Sequence, residues 1–175
     1  MKCCRVFHAR RVVFSWFLQI HRRIILAKFH NLWHAIKTRV CNNHDIDPNY
    51  FDVYSSDHQI CCLKNHAAQI FTLEAILHKH RQQYGTIFEP LEGEKALHHL
   101  IFLKTKWKPA EIRSLSLEDS LFVIQDEIHL NNLPDEARRV IDAINLPETI
   151  SFRSDGMLDE DWVPKENSIY LQTHA

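Results

Sequence analysis

Cysteine and histidine gather where the chain could hold a metal. Cys41-x2-His44 is followed, after 13 residues, by His58-x2-Cys61, and Cys62-x3-His66 comes directly behind. Two thiolate/imidazole pairs at that separation match the arithmetic of a structural zinc site with Cys41, His44, His58 and Cys61 as ligands. Zinc would also account for metal-binding side chains on a stretch too poor in apolar residues to order itself. Two features weigh against it. The C-x2-H and H-x2-C orders are mixed, and neither pair carries the glycine that a tight knuckle uses. With 13 histidines in 175 residues, chance pairs are common, and ordinary loop residues are the competing reading.

Other constellations are weaker. His30 and His34 stand four apart on one helical face, but no H-E-x-x-H glutamate accompanies them. Asp45-x-Asp47-x-Asn49 matches the opening of a calcium loop, yet Tyr50 occupies the glycine position and Ser56 the position of the bidentate glutamate. No phosphate loop, dinucleotide fingerprint, G-x-S-x-G or supported carboxylate pair is present. Three glycines (Gly85, Gly93, Gly156) are few for backbone cradles around nucleotides. The sequence therefore points to a non-enzymatic protein, with no small-molecule substrate indicated and no cofactor beyond the zinc possibility.

Charge divides the chain. The formal net charge is −1, from 21 Lys/Arg and 22 Asp/Glu. Nine of the cationic residues lie between Met1 and His44, where no carboxylate side chain occurs, so that stretch carries +9. The rest holds the remaining 12 basic and all 22 acidic residues, giving −10. Arg10, Arg11, Arg22, Arg23 and Lys28, interleaved with Trp16 and Trp33, supply phosphate neutralisation and stacking for nucleic acid or an anionic membrane surface, a contact that would involve residues 2–40. Two other readings fit the same composition. The basic stretch could fold back on the acidic remainder, or residues 1–60 could be an upstream extension that does not belong to the native protein.

Compartment follows from the thiols and from the lack of an obvious span. Five cysteines, two pairs of them adjacent, make a poor disulfide framework and suit a reducing, cytoplasmic setting. The apolar run Val12–Leu18 is far shorter than the ~20 residues of a spanning helix. Arg22 and Arg23 stand where a signal peptide would need small residues.

The elements that must position these groups read as mainly helical. A basic N-terminal helix is expected over 5–40, with Phe14, Leu18, Ile25, Phe29, Leu32, Ile36 and Val40 on one side, either packed alongside the rest or free of it. Residues 1–44 thus form a basic arm, 45–66 a Cys/His-containing loop, and 67–175 an acidic helical domain. Within the last, a bundle of three to four helices (about 67–147) is expected. Its helices run over 68–84 with Gly85 at the C-cap, over 93–106, from Ser116 through Ile128 as a long helix, and from Leu133–Pro134 onward. Pro109 opens a short turn of helix ahead of the third. Thr149–Arg153 and Ser168–Gln172 are expected to pair as a short C-terminal β extension, and Asp159–Asp161 to be solvated.

The segment 109–128 has the order of a helix-turn-helix, but Glu118, Asp119, Asp126 and Glu127 would repel phosphate. An acidic helix of that kind suits docking on a basic protein surface. Another protein is accordingly the expected partner, through a small regulatory or adaptor role. Binding of nucleic acid or membrane by the basic helix, or a zinc-stabilised binding module, are the alternatives.

Overall fold

The computed structural model describes residues 25–52, 57–144, 146 and 158–172. The protein is mainly helical, and among the described residues there is no strand.

Helix α1 is seen over residues 25–43. Phe29, Leu32, Ile36 and Val40 recur at intervals of three and four and are all buried, at 2% exposure or less. His30 and His34 lie on the exposed side. The helix is closed off by a turn at His44 and Asp45, the latter in the left-handed conformation (φ 55°). Ile46 N–H then bonds the carbonyl of Cys41 at 2.9 Å, and Asp45 N–H that of Asn42 at 3.4 Å. This closure normally uses glycine; aspartate can take the place because its short polar side chain tolerates the left-handed region.

Helix α2 (Pro48–Asp52) follows after two residues and buries Phe51 against Trp33, ring centroids 6.3 Å apart. Helix α3 (His58–Tyr84) is the axis of the molecule, 27 residues long. Asp57 caps it by accepting from Gln59 N–H at 2.8 Å. Its middle is buried on nearly every side, and this lets two clusters share it. Phe71, Ile70, Ala67 and Ala68 pack with α1, α2, helix α7 (Asp135–Asp142) and Leu171. Leu73 and Leu77 pack with helices α4 (Lys95–Thr105), α5 (Pro109–Arg113) and α6 (Leu117–Val123) through Leu97, Ile101, Ile112, Leu121 and Ile124. Helix α8 (Pro164–Leu171) closes the first cluster.

Several expectations need correction. The stretch 45–66 is not a loop: α2 lies within it, and His58–His66 form the first turns of α3, so the boundary expected at residue 67 falls inside a helix. The helix expected from Ser116 through Ile128 stops at Val123, after which 124–127 are turns. Ser116 caps it as anticipated, accepting from Asp119 N–H at 3.0 Å. Ser168–Leu171 belong to α8 and not to a strand. Pro164 opens that helix with its fixed φ, and Pro164, Asn167 and Leu171, three and four apart, are its buried side. The proposed pairing partner, 149–153, lies outside the described residues. No described helix is long and apolar enough to cross a membrane.

Candidate functional site

The basic helix and the acidic C-terminal segment meet. Arg39 of α1 donates to Glu166 Oε2 at 2.9 Å and to Asn167 Oδ1 at 2.8 Å. Asn43 Nδ2 and His44 Nε2 reach the two carboxylate oxygens of Asp161 at 2.9 and 3.0 Å, and Lys28 Nζ donates to the Gln172 carbonyl at 2.8 Å. Asp161 is fully buried rather than solvated, in a 3-10 turn, because Asn43, His44 and the Leu158 N–H together satisfy its carboxylate.

Behind this seam lies a second buried carboxylate. Glu74 of α3 has no solvent exposure. Its Oε1 accepts from Trp162 Nε1 at 2.8 Å and Asn167 Nδ2 at 3.3 Å, and Oε2 faces Arg81 Nη1 at 3.4 Å. Burial raises its pKa above the ordinary 4.5, against the pull of Arg81 and the three donors. Arg81 also donates to the carbonyls of Leu91 and Gly93, each at 3.2 Å, so the same network fixes the connection between α3 and α4.

That connection brings His80 and His99 together. Nε2 of His80 lies 2.9 Å from Nδ1 of His99, and the Tyr84 ring packs against both, at centroid distances of 4.6 and 5.5 Å. His80 and Tyr84 border an open groove of ≈ 470 Å³, lined also by Lys79, Lys104, Asp126 and Glu127. His80 is lowered to about 4, first by burial and then by the nearby His99 and Arg81 charges. His78, packed edge-on against Phe29 at 6.3 Å, is also lowered to about 4, by burial ahead of Arg81 and Lys28. The groove therefore offers neutral imidazole, a phenol and an amine–carboxylate pair, Lys104 with Asp126.

The residues singled out in the sequence are dispersed. Cys41 is buried in the core on α1 and Cys61 in the second turn region of α3, while His44 faces Asp161. His58, on the first turn of α3, approaches Cys62 instead, Nε2 to Sγ 3.5 Å. Among the described residues no group of three or more His, Cys, Asp or Glu is placed to hold a metal ion. Arg10, Arg11, Trp16, Arg22 and Arg23 lie outside the described residues. Lys28 is engaged with Gln172, and Trp33 is half-buried, its ring edge-on to Phe71 at 6.0 Å. Glu118 and Asp119 occupy the exposed first turn of α6; Asp126 and Glu127 follow it in the turns beside the groove.

Glu74, Asp161, His80 and His99 were not singled out by sequence. Glu74 sits in an apolar stretch of helix (Ile70–Leu77), and a lone carboxylate there is the one signal that could have marked it. No protein-family model, no curated protein and no solved structure matches this chain.

Proposed function

We propose that this chain is a small non-enzymatic regulatory or adaptor protein that engages another protein through the acidic helical part, residues 67–175. The observation that carries this reading is the turn between α3 and α4. Ile87 and Phe88, 92% and 95% exposed, stand at its tip. The turn is built: Thr86 N–H bonds the Glu89 carbonyl at 2.9 Å, and Glu89 N–H bonds Thr86 Oγ1 at 3.0 Å. Arg81 holds its base, and Lys95 pairs with Glu89 at 2.8 Å.

Two adjacent large apolar side chains held out by an ordered turn gain nothing for the fold, and such features mark contact sites. Exposed Glu89, Glu92 and Glu94 flank them. The complementary surface is an apolar pocket rimmed by Lys and Arg. Phe122, 72% exposed and one turn beyond Glu118 on α6, repeats the combination of aromatic and carboxylate.

The test compares full-length protein with the Ile87→Ser/Phe88→Ser double variant in pull-downs from native extract. Thermal melts are run alongside, and these should coincide because both side chains are exposed. The expected result is a discrete set of proteins retained by the wild type and lost with the double variant. Retention of nothing above background, or of the same proteins by both, would overturn the proposal.

A further inference from the structure

Helix α4 is flanked by acid at one end and by base at the other, and large apolar side chains stand exposed at both. Ahead of it, residues 86–94 carry Glu89, Glu92 and Glu94 and no Lys or Arg, with Ile87 and Phe88 at the tip. From its last turn onward, residues 102–110 carry Lys104, Lys106 and Lys108 and no carboxylate, around the exposed rings of Phe102 and Trp107. Neighbouring charges offset each end only in part. Lys95 pairs with Glu89 and the Lys165 stem lies beside Gly93, while Asp126 pairs with Lys104.

Both ends lie on one side of the helix. Ala96, Leu97 and Ile101 face the core, whereas Lys95, Phe102 and Lys106, seven and four apart, form an exposed outward stripe. The Glu89–Lys95 pair, at 2.8 Å, fastens the acidic turn to the start of that stripe. At its end Lys106 Nζ lies over the Phe102 ring, 5.6 Å from the centroid. The corner beyond is ordered: Trp107 N–H bonds Thr105 Oγ1 at 3.2 Å, and Lys108 N–H bonds Glu111 Oε2 at 3.0 Å.

We infer that this face binds a second copy of the chain, with the two α4 helices antiparallel about a twofold axis. That pairing rests on the Ile87–Phe88 turn being a contact site, and it supplies the partner. A twofold contact requires a surface complementary to itself. Turning α4 end for end provides one. The acidic turn of each copy meets the Lys104–Lys108 corner of the other, and Ile87 and Phe88 cover Phe102 and Trp107, twice over. The 11 residues of α4 span about 16 Å, so the two contacts do not collide yet belong to one interface. A patch of a single sign would instead repel its own copy.

Sedimentation of the full-length protein over a concentration series tests the pairing. The expected result is a reversible dimer in the micromolar range that weakens with added salt. Two charge reversals at exposed positions probe the two ends, Glu92→Lys/Glu94→Lys and Lys106→Glu/Lys108→Glu. Each alone sets like charges against each other and should weaken the dimer at least about tenfold. An equimolar mixture of the two variants restores opposite charges at both contacts and should dimerise again, which a variant that had merely unfolded could not do. Monomer throughout the series, a dimer indifferent to either reversal, or a mixture that fails to recover overturns the inference. The contact reading fails separately. A monomeric wild type whose captured proteins are still lost with Ile87→Ser/Phe88→Ser removes this pairing and leaves that reading standing. A dimer that both reversals weaken and their mixture restores, with nothing captured from extract, does the reverse.

Discussion

Trp162 Nε1 donates to Glu74 Oε1 at 2.8 Å, joining residues 88 positions apart and tying the C-terminal segment to the central helix. The acceptor is fully buried, so the bond is costly to remove. Trp162→Phe keeps most of the ring's packing and deletes the donor. It should destabilise the protein by about 1–2 kcal/mol in denaturant unfolding, with Asn167 and Arg81 still serving the carboxylate.

Glu74 also predicts a pH effect whose sign is fixed. Its folded pKa is raised above the unfolded value near 4.5, so between the two the folded state holds a proton that the unfolded state has lost. The contribution of Glu74 is therefore fully present below the unfolded value and declines as pH rises through the folded one. Glu74→Gln cannot titrate. Stability of wild type minus that of Glu74→Gln, measured from pH 4 upward, should fall with rising pH; a difference that stays level or grows would refute the assignment.

Arg39 and Glu166 should contribute unequally although they form one ion pair. Glu166 is 64% exposed at its side chain, and its loss should cost under about 0.5 kcal/mol. Arg39 is 14% exposed and also serves Asn167 Oδ1, which is buried. Arg39→Ala leaves that oxygen short of a donor and should cost about 1–3 kcal/mol. Chemical denaturation of the two single variants reads the contrast.

Gly85 is constrained by space rather than by its backbone angles, since φ is −66°. A Cβ there would meet the Arg81 carbonyl oxygen at 2.5 Å and that of Pro90 at 3.2 Å, and both are backbone atoms that cannot swing aside. Gly85→Ala should lower stability by about 1–3 kcal/mol in thermal or denaturant unfolding. By tilting the turn that carries Ile87 and Phe88, it should also weaken whatever contact those residues make.

Much of the helical framework was legible in the sequence. Apolar spacing from Phe29 to Val40, the Ser116 cap, Pro109, and Gly85 at the end of α3 each marked an element that the structure contains. Where reading failed, tertiary partners decided. Capped by Asp57, α3 starts at His58, ten residues ahead of the expected start, because a polar run such as His58–His66 shows no helical stripe until α3 is seen packed on several sides. Asp161 looked solvated within an acidic triplet, yet Asn43 and His44, far off in sequence, bury it. The pairing of His80 with His99 depends on how the 85–94 connection folds back, which no local pattern encodes.

That α1 is a core element, despite its charge, is tested most directly by native-state amide hydrogen exchange on the full chain. Leu32, Ile36 and Val40 are wholly buried against α3 and its neighbours. Their amides should exchange as slowly as those of Phe71 and Ala75, through the same global opening. Near-intrinsic exchange along residues 29–41, with α3 still protected, would contradict this and make the basic segment an appended arm.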